Sequence, residues 1–309
     1  MRIKALDGWR GIAILLVVID HIDTFSEHPH KFLAYLGQHG VALFFVLSGY
    51  LITSRLIAER ERTGTIDFRS FYVRRIFRLW PAAWLYLLAI TLAYRNPAFD
   101  VLRCIGFIRN YADGSVWTLH FWSLSIEEQF YLFWPVILLW KRARSVALIL
   151  AVAIAGWRMV HYGHLDWVHS TQTQYRADAL FVGCIAAMTP IKPKLTWFAL
   201  PIVAVCVCCF HMLIPLVESV AFALLIQSRS RLLENPVLVW LGTISYSLYL
   251  WQEFWLGTFR QSTWAAMTCK AGLMIASASL SYYLVERPAL TLLRQRLACD
   301  CSCECPACD

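Results

Sequence analysis

Ten long apolar runs, separated by short polar segments, constrain the fold of this chain more than any other feature. A helix needs about 20 mostly apolar residues to cross a bilayer. The 309 residues are 59% hydrophobic and only 16% charged, whereas soluble domains carry about 25% charged residues. The sequence therefore predicts an all-α, polytopic integral membrane protein with about ten transmembrane helices. The candidate spans are 9–26, 38–57, 77–95, 121–140, 144–161, 176–190, 195–211, 212–228, 237–255 and 266–286.

Basic residues concentrate in alternate connections between these runs. The net charge of +8 is therefore attributed to membrane topology, as the positive-inside rule requires, and nucleic acid is not expected as a partner. With ten spans, both termini are predicted to be cytoplasmic. The richest connection, between the second and third runs, holds Arg55, Arg60, Arg62, Arg69, Arg74, Arg75 and Arg78.

The domain organisation follows from the distribution of the apolar runs. Residues 1–290 are predicted to form one membrane domain, and 291–309 a Cys-rich cytoplasmic tail that we expect to be disordered. The tail contains Cys299, Cys301, Cys303, Cys305 and Cys308. No histidine accompanies these cysteines at the spacing of a zinc site, so no metal is expected.

The first run, "LDGWRGIAILLVVIDHI" over 6–22, contains ionisable residues where lipid is most apolar. A charge inside a membrane helix costs a few kcal/mol, which makes such residues functional candidates. Arg10 and His21 are 11 residues apart, or about 20° beyond three helical turns and about 16 Å of rise. Both side chains therefore leave one face of the helix. Asp20 points about 100° away from His21, so it is not assumed to orient the imidazole.

Histidine titrates near neutral pH, which suits a general base. The alternative is that His21 only hydrogen-bonds to a neighbouring helix and does no chemistry. The alignment of Arg10 with His21 favours the chemical role.

The segment "WSLSIEEQFYLFWP" over 122–135 places two glutamates near the external end of the fourth run. Ser123, Glu127 and Tyr131 recur every four residues and so share a helix face. Because Glu127 and Glu128 are adjacent, they cannot both face one partner. One is expected to face water or headgroups, and the other to pair with an arginine or accept a proton. Alternatively, the pair only solvates the interface beside a belt of aromatic residues.

The segment "FYVRRIFRLWPA" over 71–82 brings three arginines into the third run from the cytoplasmic side. Arg74 and Arg78 are four residues apart and lie on one face. Such a pair at the membrane surface can clamp phosphates in a bidentate manner. A topological anchor or a contact with anionic lipid is the alternative.

Two further segments are weaker signals. "GVALFFVLSGYLIT" over 40–53 contains Gly40, Ser48 and Gly49, small residues that permit close helix approach. "GTISYSLYLWQE" over 242–253 supplies polar side chains to the ninth run. These are Ser245, Tyr246, Tyr249 and Gln252.

Together these segments resemble the type-three membrane acyltransferase family, the group of O-antigen and peptidoglycan O-acetylases. The likeness extends over 5–290, and the motifs stand in the order of the family. The matching pieces are "LDGWRGIAILLVVIDH", "GVALFFVLSGYLIT", "FYVRRIFRLWP", "FWSLSIEEQFYLFWP", "RADALFVGCIAA", "GTISYSLYLWQ" and "VERP". The first carries the arginine–ten residues–histidine pattern typical of the family.

The resemblance implies a multi-pass enzyme of the bacterial inner membrane. Such an enzyme moves an acetyl or other acyl group from acetyl-CoA to a hydroxyl of a cell-surface glycan or lipid-linked sugar, among membrane lipids. It implies that His21 is the catalytic histidine, Arg10 its companion and Glu127 the glutamate of the fourth span. The arginines that match the basic motif for the phosphates of CoA are Arg74, Arg75 and Arg78.

Further substrate contacts are predicted for Ser48, Tyr131, Tyr249 and Gln252. The chain departs from the family at two of its motif positions. Gln252 stands where a histidine is common, which weakens the expectation of a second titratable group there, and position 42 is alanine where an acidic residue is common.

The mechanism and the function both retain alternatives. His21 either takes a proton from the acceptor hydroxyl or carries the acyl group covalently. A function of a different class is a proton-coupled transporter with a relay between His21 and Glu127, and a third is a non-catalytic scaffold for glycan assembly. The sequence does not distinguish among possible acceptors, and it leaves the oligomeric state unknown.

Overall fold

The computed structural model describes a helical protein. It covers residues 3–30, 33, 35–95, 97–161, 170–189, 199, 201–202, 214–228, 230–257 and 263–303. The seventh predicted span, 195–211, lies almost entirely outside the described residues, as does the predicted break between 211 and 212. No β-strand occurs in the described ranges, so the predicted all-α class is confirmed there.

Eleven α-helices of eight residues or more form the described part of the molecule. They are α1 Lys4–Thr24, α2 Leu36–Thr63, α3 Phe68–Tyr94, α4 Ala98–Ile105, α5 Phe121–Ile137, α6 Ala143–His161, α7 Asp178–Ala187, α8 Ile214–Leu225, α9 Pro236–Leu256, α10 Trp264–Ser281 and α11 Arg287–Cys303. A π-helical turn, Tyr282–Glu286, joins α10 to α11.

Local sequence signals explain several helix ends. Asn235 caps α9 by accepting the Val237 N–H at 2.9 Å, and Pro236 occupies the first helical position, where its missing N–H costs nothing. Asp67 caps α3 by accepting the Ser70 N–H at 3.0 Å. At the end of α2, Gly64 has a φ of 79°, a left-handed conformation that glycine adopts without steric strain.

Three described helices are long and apolar enough to cross a membrane: Leu36–Thr63, Phe68–Tyr94 and Ala143–His161. They correspond to the second, third and fifth predicted spans. Helices also occupy most of the other predicted spans, but they do not meet the same length and composition criteria. The total of ten spans and the cytoplasmic location of both termini stay predictions.

The surface of α6 has the inverted pattern expected of a helix in lipid. Four of its five buried residues recur every four positions and are small, namely Ala143, Ala147, Ala151 and Ala155, and the fifth is Arg158. Its opposite surface exposes large apolar side chains, including Leu148, Ile149 and Val152. Small residues on the packed face let helix backbones approach closely, whereas the lipid solvates the large ones.

Glycines allow α1 and α9 to pack backbone against backbone. A Cβ added to Gly8, Gly11 or Gly242 would overlap the carbonyl oxygen of Leu233, Leu238 or Asp7, respectively. Because positions early in α1 meet positions early in α9, the two helices run parallel. This contact holds the face of α1 that carries Arg10 and His21 against α9.

The predicted close approach at Gly40 and Gly49 is confirmed. A Cβ on Gly40 would lie 2.5 Å from the Ala13 carbonyl oxygen of α1, and one on Gly49 would overlap the Leu180 carbonyl oxygen of α7. Helix α2 is therefore packed tightly between α1 and α7. This arrangement places the middle of α2 beside the predicted site residues.

Helical backbone continues into the segment predicted to be a tail. Helix α11 extends from Arg287 to Cys303, across the predicted boundary at residue 290. Residues 304–309 lie outside the described residues, and the predicted disorder of 291–309 stays a prediction. The domain boundary itself stays a prediction.

Candidate functional site

Two adjoining cavities contain most of the predicted site residues. The larger, about 100 Å³ in volume, is named the arginine cavity for Arg10, Arg55, Arg75 and Arg78. The smaller, about 70 Å³, is named the histidine cavity for His21 and His120. Val41 and Tyr249 line both cavities and form the wall between them.

The arginine cavity collects guanidinium groups from three helices. Arg10 of α1, Arg55 of α2, and Arg75 and Arg78 of α3 all line it, whereas Glu127 is the one carboxylate in its described lining. The Arg10 Nη2 donates to the Ser245 Oγ of α9 at 3.2 Å. This excess of positive charge in a partly buried space favours an anionic ligand.

Aromatic rings and one further carboxylate support these arginines. The Arg75 guanidinium lies 5.1 Å from the centre of the Tyr131 ring, close enough for a cation–π contact. Glu286 of the π-helical turn is buried, accepts from the Ser247 Oγ at 3.3 Å, and attracts both Arg78 and Arg10. The closing "VERP" motif, which contains Glu286, thus contributes a carboxylate that attracts two arginines of this cavity.

Glu127 is held inside the arginine cavity by two hydroxyl groups. The Ser48 Oγ donates to its Oε1 at 3.1 Å, and the Tyr131 OH donates to its Oε2 at 2.6 Å. The predicted shared face of Ser123, Glu127 and Tyr131 is confirmed, because all three line this cavity. The carboxylate of Glu127 lies in the cavity with the arginines. Its catalytic role stays a prediction.

Glu128 lies elsewhere, as its position next to Glu127 on the helix requires. It lines a mostly apolar crevice of about 30 Å³ between α3 and α5. Its Oε1 is buried and has no hydrogen-bond partner in the described part of the chain. The two glutamates thus have separate surroundings, as predicted.

His21 is fixed by contacts at both ring nitrogens. Its Nδ1 lies 2.8 Å from the Val17 carbonyl oxygen, and its Nε2 lies 3.2 Å from the Glu253 Oε1 of α9. A carbonyl only accepts, so Nδ1 carries a proton. Nε2 and the Glu253 carboxylate are then left to hold a proton between them. The closest Asp20 oxygen is 4.0 Å from Nδ1, which confirms that Asp20 does not orient the ring by a hydrogen bond.

The predicted alignment of Arg10 with His21 is confirmed. Both side chains contact α9, through Ser245 and Glu253 respectively. They nevertheless line different cavities. Glu127 lines the arginine cavity and His21 lines the histidine cavity, and each has other partners. The relay between His21 and Glu127 that a transporter would need is therefore not supported.

The wall between the cavities is a hydrogen-bonded cluster. The Tyr249 OH lies 2.6 Å from the Ser123 Oγ and 3.0 Å from the His120 carbonyl oxygen. The Ser123 Oγ lies 3.3 Å from the same carbonyl. Whichever hydroxyl donates to the other, both protons are used within the cluster, and the Tyr249 ring is held in place.

The structure separates the three predicted CoA-contacting arginines. Arg75 and Arg78 line the arginine cavity, but Arg74 does not. Arg74 is 47% exposed and lies 3.7 Å from the Glu59 carboxylate. Of the predicted pair Arg74 and Arg78, only Arg78 lines the cavity, where its neighbour from α3 is Arg75. The roles of all three arginines in binding CoA stay predictions.

The remaining predicted contacts divide between the cavities. Ser48 and Tyr131 line the arginine cavity, Gln252 lines the histidine cavity, and Tyr249 lines both. Gln252 is fully buried, and neither of its amide atoms has a hydrogen-bond partner among the described residues. Their roles in binding stay predictions.

Three residues at the cavities were not singled out from the sequence. Glu253 directly follows Gln252, so the titratable group at this point of α9 is displaced by one position. His120 precedes "FWSLSIEEQF", and Arg55 was interpreted only as part of a cytoplasmic loop. An acidic residue inside the apolar run of 237–255 was a signal that could have identified Glu253.

Comparison with known proteins identifies the family of this chain. A family model described as an acyltransferase domain matches residues 3–297. The chain belongs to this acyltransferase family. It is 30% identical to a protein of Staphylococcus aureus (strain COL) provisionally named an O-acetyltransferase, over 93% of this chain and 57% of that protein.

Two other relatives carry more specific names. A protein of Bacillus subtilis provisionally named a peptidoglycan O-acetyltransferase is 28% identical, over 94% of this chain and 55% of its own length. The peptidoglycan O-acetyltransferase of Listeria monocytogenes is 25% identical, over 93% of this chain and 55% of its own length. This acyltransferase chain thus spans about half the length of the curated relatives it matches. No solved structure matches it.

Proposed function

We propose that this protein is an integral membrane O-acyltransferase that moves an acetyl group from acetyl-CoA to a hydroxyl of a cell-surface glycan. The observation that carries the proposal is the shared wall of two chemically different cavities. One cavity has the charge to receive a phosphorylated donor, and the other has a histidine–carboxylate pair to receive a hydroxyl. The names of the relatives from three bacteria support the same reaction class.

The arginine cavity fits the donor by charge. Four arginines face one carboxylate in its described lining, and guanidinium groups bind phosphates by paired, charge-assisted hydrogen bonds. Acetyl-CoA would supply an acetyl group already activated as a thioester. Arg75 and Arg78, at the start of α3, would neutralise its phosphates, and Arg10 would extend the positive surface toward the wall.

His21 and Glu253 would manage the proton. In the form with no proton between Nε2 and Glu253, the pair takes the proton of the acceptor hydroxyl at this position while the new C–O bond forms and the C–S bond of the thioester breaks. It then returns the proton to the departing sulfur. Val17 engages Nδ1, and Glu253 lies 3.2 Å from Nε2, a separation that accommodates a shared proton but not an acyl group on the nitrogen. We therefore favour general-base catalysis over a covalent acyl-histidine.

The proposed setting is the bacterial inner membrane, which the protein crosses several times. The acceptor is a glycan or a lipid-linked saccharide that reaches the histidine cavity. Peptidoglycan is the acceptor that the names of two relatives favour. A non-catalytic scaffold would not require a buried histidine–carboxylate pair beside an arginine-lined cavity.

The test uses purified protein in lipid nanodiscs with radiolabelled acetyl-CoA and soluble peptidoglycan fragments. Release of CoA that depends on the acceptor, with label in the glycan, is the expected result. His21→Ala should abolish transfer while leaving the melting temperature within a few degrees of the wild-type value. Full turnover by His21→Ala would show that the proposed base is wrong.

A further inference from the structure

Three buried side chains of the histidine cavity have polar atoms without hydrogen-bond partners among the described residues. The atoms without partners are both ring nitrogens of His120, both amide atoms of Gln252, and the Oε2 of Glu253. His120 is 3% exposed, Gln252 is 0% exposed and Glu253 is 3% exposed. Folded proteins rarely leave several buried polar groups unsatisfied in one place, because each costs free energy. The concentration of these atoms around one cavity therefore requires an explanation.

We propose that His120, Gln252 and Glu253 form the binding site for an uncharged, hydroxyl-rich acceptor, and that they position one hydroxyl beside His21. This inference rests on the proposed function and deepens it by naming the acceptor class and the residues that select it. His120 and Glu253 are assigned no binding role by the sequence motifs. All three line the cavity that contains His21.

The inventory of donors and acceptors fits hydroxyl groups. The Gln252 amide offers two N–H donors and one oxygen acceptor, and a neutral His120 ring offers one donor and one acceptor. The free Glu253 oxygen accepts only. A hydroxyl both donates and accepts, so a compound with several neighbouring hydroxyls can satisfy all three side chains together.

Charge at the cavity disfavours an anionic acceptor. Asp20 and Glu253 both line it, and its described lining contains no arginine or lysine. A phosphate or carboxylate placed here would meet two acidic residues, and the two imidazoles, His21 and His120, carry no permanent positive charge. The reacting sugar should therefore carry neither group.

Aromatic rings provide an apolar side to the same cavity. Trp122 and Tyr249 line it, and aromatic faces present large, rigid apolar surfaces. The His120 ring is itself held edge to face against Tyr86, with ring centres 5.2 Å apart, and against Tyr249 at 5.6 Å. Its nitrogens are thus presented by a fixed ring.

The first test replaces the unsatisfied groups by apolar side chains of similar size, in Gln252→Leu and His120→Phe. Initial rates are measured in nanodiscs with the best acceptor from a panel of uncharged oligosaccharides, including the tetramer of N-acetylglucosamine. We expect the acceptor KM to rise about tenfold or more, since an interaction with a buried polar group is lost. The KM for acetyl-CoA should change less than about twofold.

The melting temperature separates binding from structural support. Gln252→Leu should not lower the melting temperature, because the free protein loses a buried group that had no partner. Gln129→Leu is the matched control, because its amide donates to the Phe107 carbonyl at 2.7 Å and contacts neither cavity. That control should lower the melting temperature and leave both KM values unchanged.

The outcomes distinguish this inference from the proposed function. A wild-type protein that transfers acetyl groups to no glycan overturns the proposed function and this inference with it. If the wild type is active but Gln252→Leu and His120→Phe keep its acceptor KM, water satisfies these atoms and only the inference fails. A wild type that prefers phosphorylated oligosaccharides to their uncharged counterparts also overturns it.

Discussion

At the scale of single residues, the contact between His21 Nδ1 and the Val17 carbonyl determines which ring nitrogen is available for the proposed proton transfer. This contact, at 2.8 Å, fixes the proton on Nδ1 and turns Nε2 toward Glu253. Because His21 lies on α1 and Glu253 on α9, the contact between them depends on the packing of these two helices. The pair should therefore act as one unit in catalysis.

Glu253→Gln should lower kcat by about 10²- to 10⁴-fold, the range expected for loss of general-base assistance. The amide keeps the shape of the side chain but cannot hold the proton that passes through His21. Asp20→Asn serves as the comparison and should cost less than about tenfold, because its carboxylate lies 4.0 Å from the ring. Acceptor-dependent release of CoA is the measurement, and similar losses for both variants would argue against the assigned pair.

The arginines provide a second prediction at this scale. Combining Arg75→Ala with Arg78→Ala should raise the KM for acetyl-CoA at least about tenfold, since hydrogen bonds to charged groups contribute about 1.5–3 kcal/mol each. Arg74→Ala should have a much smaller effect, because its side chain lies outside the cavity beside Glu59. Exposed Arg69 on the same helix supplies the control. An equal increase for Arg74→Ala would support the pairing predicted from helix periodicity.

At the scale of secondary-structure elements, glycines determine how α1 and α9 fit together. The backbone of each helix approaches the other so closely that a methyl group at Gly11 or Gly242 would overlap a carbonyl oxygen. A backbone atom cannot move aside as a flexible side chain can. The register of Arg10 against Ser245 and of His21 against Glu253 therefore depends on these small residues.

Gly242→Ala should destabilise the protein by about 1–3 kcal/mol or more, because overpacking forces the helices apart. Gly156→Ala on α6 is the matched control, since a Cβ there meets no atom within 4 Å. It should be neutral or stabilising, because alanine favours helix more than glycine does. Melting temperatures in detergent test both, and unchanged stability of Gly242→Ala would contradict the close packing.

At the scale of the whole molecule, five helices, α1, α2, α3, α5 and α9, bring two cavities to a common wall. The wall at Tyr249 belongs to both cavities, and hydrogen bonds to Ser123 and the His120 carbonyl hold it. In the proposed reaction, the donor and the acceptor meet at this wall. Its removal should therefore uncouple the use of the donor from the presence of the acceptor.

Tyr249→Ala should increase the hydrolysis of acetyl-CoA without acceptor by several-fold, because water gains access to the thioester from the histidine cavity. Tyr249→Phe keeps the ring but removes the hydroxyl, and should show a smaller increase. Release of CoA without acceptor is the measurement. If Tyr249→Ala shows no such increase, the two cavities do not communicate through this residue.

Helix periodicity alone predicted two features correctly. The common face of Arg10 and His21 and the common face of Ser123, Glu127 and Tyr131 both follow from repeats within one helix. The pair of Arg74 and Arg78 followed from the same rule, but only Arg78 lines the arginine cavity. The face of α3 that points into the cavity is determined by the helices packed against it. The periodicity of α3 shows only which residues share a face.

The sequence by itself determined the helical class, most of the apolar helices and the side chains that share a helix face, because these depend on interactions a few residues apart. The tertiary structure alone decided that Glu253 meets His21, that Glu127 lies with the arginines, and that Arg10 and His21 line different cavities. Those relations depend on how helices distant in the chain cross and on the depth at which their side chains meet. Glycine contacts between backbones determine that geometry here.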